Sequence, residues 1–365
     1  MNKFLSIALA SALSCSVVSA KEISIGAVMP MSGPLAAYGQ VTNLGVELAH
    51  KQQPTLKNGD TIKIVLLDNK GDKVETATAT TRLISSDKVV AILGALTSTN
   101  TAQAIAIADK KEIPVIASVA TNDQLTAKRE FANRVCFTDS FQGEVVANYA
   151  KAQAYKTAVV VVDQSQVYSL GLAKAFETAF KKNGGEIVKT IKITSGDKDF
   201  KAVVSQIKET NPDFMFLPLY HPEASMIARQ SKQLGLEKPM FSGDGVANQT
   251  FIDLGGDSVN GYMFTDFFDS TNPPSQTSAD FVAFHEKETG NKEMNSFTAL
   301  GADTYNVLID AMNRCEDPTN SVCINKEIKK TTGFAGVSGK ISIDSEGNAT
   351  RSAVIKEIKD GKAVF

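Results

Sequence analysis

The 365-residue sequence has no tryptophan, only three histidines and four cysteines, and aromatic residues make up just 7% of it. His50, His221 and His285 are dispersed, and no C-x-x-C pair exists, so no zinc-type spacing is present. "HEKE" at His285 lacks the second histidine of a zinc helix. "GVSGK" lacks the distal glycine of a phosphate loop, and "GDGVAN" lacks the third glycine of a dinucleotide fingerprint. No serine has glycines two before and two after it, which removes the nucleophile elbow. His221 in "YHPE" could serve as a base, but a loop residue beside a helix-starting proline is the favoured reading. These absences leave no positive sign of an enzyme, a metal centre or a cofactor.

The charge is also small, −2 overall. That argues against nucleic acid or an anionic membrane surface as partner. After the first twenty residues no apolar run is long enough to span a bilayer. Those twenty read as an export signal: one charge (Lys3), the apolar core "FLSIALASALS", and small residues in "VSA", with cleavage expected after Ala20. Cys15 in "ALSC" raises a lipoprotein alternative, which is disfavoured because Ala12 stands where leucine is usual. The remaining chain, 345 residues with net charge −3, is too long for one ordinary core and suggests two domains.

Of the other cysteines, Cys315 and Cys323 flank the turn-rich "RCEDPTNSVC", and an exported chain is expected to join them. A loop that short stabilises by about 2.5 kcal/mol on the chain-entropy view. Cys136 in "NRVCFTDS" reads as a small buried apolar residue.

What is present is a long repeat. From Lys21, three strand–loop–helix units are followed by a strand starting at Pro114; from Lys156, the same order recurs, ending in a strand near Pro239. Apolar runs alternating with helical patterns mean parallel sheets with helices on both faces. Two such units make two similar α/β domains, whose strand-end loops can face each other across a cleft. After Gly261 the pattern loosens: "GYMFTDFF" reads as a strand or crossover, "SADFVAFHEKETG" and "NSFTALGADTYNVLIDAMNRC" as amphipathic helices, and the C-terminal stretch as β-hairpins. This text is too short for a third domain and is expected to complete the first two. "EGNAT" near its end reads as a hairpin turn in preference to a glycosylation acceptor at Asn348.

The strand-end loops hold the candidate site. In "MSGPLAAYG", Ser32 can cap the next helix with Pro34 in its first turn, and Tyr38 can form a pocket wall. "LTSTN" (Leu96–Asn100) supplies Thr97 or Ser98 as an N-cap, but a helix N-terminus with free N–H groups is equally a carboxylate site. "ASVATND" adds the Val119 carbonyl and the hydroxyl and N–H of Thr121. Together these two loops can hold both ends of a zwitterion. The second half offers Tyr168, Tyr220 and Asp244; Asp244 is either a Gly-Asp-Gly turn residue or the partner of a ligand ammonium.

"MSGPLAAYG", "YHPEA", "GDGVANQTF" and the "RVCFTD" crossover occur in order, and through them the chain resembles the exported leucine/isoleucine/valine-binding proteins, the receptors of ABC importers for branched-chain amino acids. The resemblance implies a type I periplasmic-binding-protein fold: two doubly wound parallel-sheet lobes joined by three crossovers. One lobe would span 21–138 plus 268–346 and the other 139–267 plus 347–365, with the ligand cleft between them. It implies that Ser98 and Thr121 bind the ligand carboxylate, and that the Val119 carbonyl, Thr121 and an acid bind the ammonium. Tyr38, Leu96, Thr97, Tyr168, Tyr220 and Phe297 would line the side-chain pocket. The acid here is Asp244, where the family commonly has glutamate, and Thr97 stands where some members carry a disulfide cysteine. The expected partners are a free aliphatic L-amino acid and a membrane permease, with another amino acid or small amide, or a non-transport sensor role, as the alternatives, and the expected state is a periplasmic monomer.

Overall fold

The computed structural model describes residues 20–365. The expected export signal, apart from Ala20, and the Cys15 alternative lie outside the described residues.

Two parallel sheets repeat one topology. The first runs Thr61–Asp68, Glu22–Met29, Ile92–Gly94, Val115–Ala117, Ala132–Arg134. The second has Glu186–Ile193, Thr157–Asp163, Phe214–Phe216, Met240–Ser242 and Met263–Asp266 in the corresponding order, extended by the antiparallel hairpin Val354–Lys359 and Lys362–Val364. In both, the second strand in sequence pairs outside the first and the rest add to the other side, so the duplication read from the sequence is a duplication of topology. Strands such as "EISIGAVM" and "TAVVVVD" are apolar over most of their length because helices cover both faces. Ile25, Ala27, Val28 and Met29 in the first, and Ala158 to Val161 in the second, are fully buried.

The chain passes between the sheets three times, after Arg134, after Asp266 and after Thr350. The crossings lie side by side. Phe137 of the first stacks on Phe267 of the second at 4.1 Å. Arg351 of the third donates to Val135 O of the first at 3.2 Å. Buried aromatic and charge-assisted contacts therefore hold the three segments as one hinge.

The helix Ser296–Arg314 returns to the first sheet and packs along Ala36–Gln52. Gly45 permits this approach: a Cβ there would stand 1.9 Å from Thr298 O. The small antiparallel sheet Phe334–Gly336, Gly339–Ile343, Ala349–Thr350 follows. "EGNAT" forms its turn, and the Asn348 amide oxygen accepts from the Thr126 hydroxyl at 2.9 Å. Cys315 and Cys323 are joined by a disulfide. Cys136 is buried beside the Ala120 carbonyl, and burial pushes its thiol up to about 12, so it is an unreactive core side chain.

One local expectation is corrected. Ser32 does not cap the first helix, which begins at Ala36 without a side-chain cap. Its hydroxyl donates instead to Asp68, at 2.5 Å. Asp68 ends the neighbouring strand and also accepts from the Met31 and Lys70 N–H groups. A carboxylate with several donors outcompetes a helix end for the serine.

Candidate ligand-binding site

The strand ends of the two sheets face one another, as the carboxyl edges of open α/β sheets do at binding crevices. Between them lies a narrow cavity of about 10 Å³, room for about one water molecule in this closed arrangement.

The first sheet's side contributes Tyr38, Leu96, Thr97, Ser98, Val119 and Phe297. Tyr168, Tyr220, Asp244 and Gly245 face them from the second sheet's side. Nine of the ten residues expected from the sequence thus line the cavity. Thr121 does not. It is buried, and its carbonyl accepts from Asp139 N at 2.8 Å. Gly245 lines the wall without having been expected.

Ser98 opens the helix Ser98–Ala108, with Thr97 as N-cap. The Thr97 hydroxyl accepts from Asn100 N at 3.4 Å, and the Ser98 hydroxyl accepts from Asn122 N at the same distance. The first-turn N–H groups of such a helix have no partner within it and carry the positive end of its dipole. Leu96 before it has φ +73°, left-handed backbone that a leucine adopts at a cost of about 1–3 kcal/mol, of the kind that concentrates at functional sites.

Opposite, Asp244 heads a short 3₁₀ turn after the strand Met240–Ser242. Its flanking glycines are there for space, since neither has positive φ. A Cβ on Gly245 would stand 2.6 Å from Leu219 O and 3.0 Å from the Tyr168 ring. Asp244 is 4% exposed and has no cation within ion-pair distance among the described residues. Burial, with the neighbouring Asp139 charge adding, pushes its carboxyl up to about 8, although the Gln142 hydrogen bond opposes this. Asp139 is pushed up to about 7, again by burial first.

The walls are aromatic. Tyr168 and Tyr220 stack at 5.0 Å, and Tyr38 packs against Phe297 at 5.6 Å. Burial raises all three phenols well above their ordinary value, so they remain neutral hydroxyls. His221 begins the helix His221–Gln233 beside Pro222, and its ring lies edge-on to Tyr38 at 4.9 Å. Burial pulls it down to about 4, so it is a neutral packing and hydrogen-bonding group at neutral pH.

Several contacts bridge the cleft that sequence reasoning missed. Thr99 Oγ1 donates to Gln166 Oε1 at 3.0 Å and accepts from Val167 N at 3.1 Å. Asn122 Nδ2 donates to Val167 O at 3.1 Å and to Asp139 Oδ2 at 3.2 Å. Thr99 stood inside the quoted "LTSTN", but its contacts depend on the other lobe's position. Asp139 and Gln142, three apart at the start of one helix, were a legible signal of a polar pair on one face.

Comparison with known proteins agrees with this geometry. The periplasmic binding protein family model matches residues 22–363. The Leu/Ile/Val-binding protein BraC3 of Rhizobium johnstonii is 28% identical over 358 residues, 95% of this chain and 94% of that protein. The crystal structure of a leucine binding protein, LivK, from Thermotoga maritima has a TM-score of 0.92 at 36% identity, covering 94% of this chain and 97% of that one. The branched-chain amino acid transporter substrate binding protein LivJ from Streptococcus pneumoniae, solved with isoleucine, has a TM-score of 0.87 at 32% identity, covering 94% and 98%. Twin sheets of one topology, a cleft between their strand ends and this agreement over nearly the whole described chain make it a member of the periplasmic binding protein family, in its leucine/isoleucine/valine-binding group.

Proposed function

We propose that the protein captures a free branched-chain L-amino acid, leucine, isoleucine or valine, between its lobes and delivers it to the permease of an ABC importer. The observation that carries this is Asp244: a buried carboxylate on the cavity wall with no cation beside it. Burial pushes this acid up to about 8, so it is largely protonated while unpaired, and a ligand ammonium beside it favours the ionised form. The helix N-terminus at Ser98 stands across the cavity and offers N–H donors to the other end of a zwitterion. Leu96, Val119 and Phe297 leave an apolar remainder that suits an aliphatic side chain.

Nothing in the cavity supplies an activated nucleophile. Its three tyrosines are neutral, so the reading is capture without conversion. Thr121 remains a proposed ligand contact, buried next to Asp139. Export with cleavage after Ala20, and action as a monomer, belong to the same proposal; no helix among the described residues is long and apolar enough to cross a membrane. Isothermal titration with the twenty amino acids, after unfolding and refolding to strip bound ligand, tests it. Leucine, isoleucine or valine should bind and raise the melting temperature, while their amides and decarboxylated amines should not. Tight binding of a sugar, or no response to any amino acid, overturns the reading.

A further inference from the structure

Gln142 is fully buried in the first turn of the helix Asp139–Ala152, directly after the first crossing. Its amide uses all four of its hydrogen-bonding positions. Nε2 donates to Asp139 Oδ1 at 3.1 Å and to Asp244 Oδ1 at 2.9 Å. Oε1 accepts from the Thr265 hydroxyl at 2.8 Å and from Asp244 N at 3.3 Å. This fixes the amide's direction: turned over, its oxygen would face two carboxylates and its NH₂ a backbone N–H.

The consequence falls on Asp244. One oxygen is held by Gln142, and Oδ2 has no hydrogen bond among the described residues. We propose that Gln142 is a positioning residue for the ligand ammonium: it pins one oxygen of Asp244, presents the other to the cleft, and ties Asp244 to Asp139 so that two buried carboxylates answer one incoming positive charge. This rests on the amino-acid reading above.

The surroundings suit the role. Asp139 and Asp266 face Asp244 with like charge, and Asp266 is itself paired with Lys356 at 3.0 Å. The phenols of Tyr38, Tyr168 and Tyr220 and the Cys136 thiol complete the ring of titratable neighbours, all held neutral by burial. Arg134 acts on Asp139 but lies beyond ion-pair distance of it. Gln142 is therefore the one side chain among the described residues that hydrogen-bonds both acids.

The test is Gln142→Met, which keeps the approximate shape and loses both donations without adding a charge beside the two acids. Leucine affinity is read by isothermal titration at pH 7.5. The carboxyl titrations of the ligand-free protein are read by ¹³C NMR on carboxyl-labelled aspartate, with Asp139→Asn and Asp244→Asn assigning the signals. A charge-assisted hydrogen bond of this kind corresponds to about tenfold or more in affinity. We expect at least that loss, together with Asp244 titrating at higher pH than in wild type. Gln142→Leu serves if the methionine variant does not fold. A variant that lowers only the apo melting temperature, keeping leucine affinity within about twofold and both titrations in place, overturns the proposal. If wild type binds no leucine the amino-acid reading fails, and the ligand-free carboxyl titration still decides whether Gln142 sets Asp244.

Discussion

The Tyr38 hydroxyl donates to Gly245 O at 2.5 Å and accepts from His221 N at 3.2 Å, so one side chain of the first lobe is hydrogen-bonded to two loops of the second. Its ring is at the same time part of the cavity wall. Closing the lobes and completing the pocket are therefore one event, of the hinge kind seen in binding proteins.

Tyr38→Phe keeps the wall and removes both bonds. Each such bond contributes about 0.5–1.5 kcal/mol net, so leucine affinity should fall by about tenfold with little change in apo stability. Titration calorimetry checks the affinity and denaturant unfolding of the ligand-free protein checks the stability, while small-angle scattering of the holo protein should shift towards open shapes. Unchanged affinity and compactness would show that the bonds do not govern closure.

Asp244→Asn should weaken leucine binding by at least about 100-fold, since removing one member of a buried charge pair costs about 3–5 kcal/mol. A residue that served only the turn would give lower apo stability with affinity kept. Titration of the variant, with its apo melting temperature, separates the two.

The pH dependence has a definite sign. Asp244 and Asp139 ordinarily titrate near 3.8 and are pushed up to about 8 and about 7 in the folded protein. Between these values the folded state holds protons that the unfolded chain has lost. Their stabilising contribution is full below pH 4 and is lost as pH rises through 8. The apo melting temperature should therefore fall from pH 5 to 8, and less so in Asp244→Asn. Leucine affinity should rise over the same range, by up to about tenfold per pH unit, because the ammonium meets an ionised Asp244. A flat profile of both quantities would contradict the burial of these acids.

Gly245→Ala would place a methyl 2.6 Å from Leu219 O, where backbone cannot easily give way. Overpacking of this kind costs about 1–3 kcal/mol, and here it also narrows the cavity. Both apo stability and leucine affinity should drop, measured by denaturant titration and calorimetry.

Cys315→Ser with Cys323→Ser should lower stability by about 2.5 kcal/mol while leaving leucine affinity within about twofold, because the loop lies away from the cleft. Denaturation with and without leucine checks both halves.

Much of the fold was legible in the residues. Runs such as "VVAILGA" and "TAVVVVD" announce strands covered on both faces, and their repeated order announces two like sheets. The loops that reach the cavity were legible too, because strand ends in such sheets must lie at the crevice. Gly243 and Gly245 read as turn glycines; only the packing against Leu219 and Tyr168 revealed that they make room. Ser32 read as a cap because its distant competitor Asp68 is invisible in local sequence.

What the sequence by itself determined is the architecture and the supply of groups: periodicity and turn chemistry act over a few residues and need no partner. What only the tertiary structure decided is which groups act together. Tyr38 and Gly245 are 207 residues apart, and Gln142 and Asp244 are 102 apart. Their meeting depends on three crossings packing as one hinge through Phe137, Phe267 and Arg351. Burial then does what no motif encodes: it strips water from Asp244, moves its carboxyl from about 3.8 to about 8, and makes a turn residue a buried acid on the cavity wall.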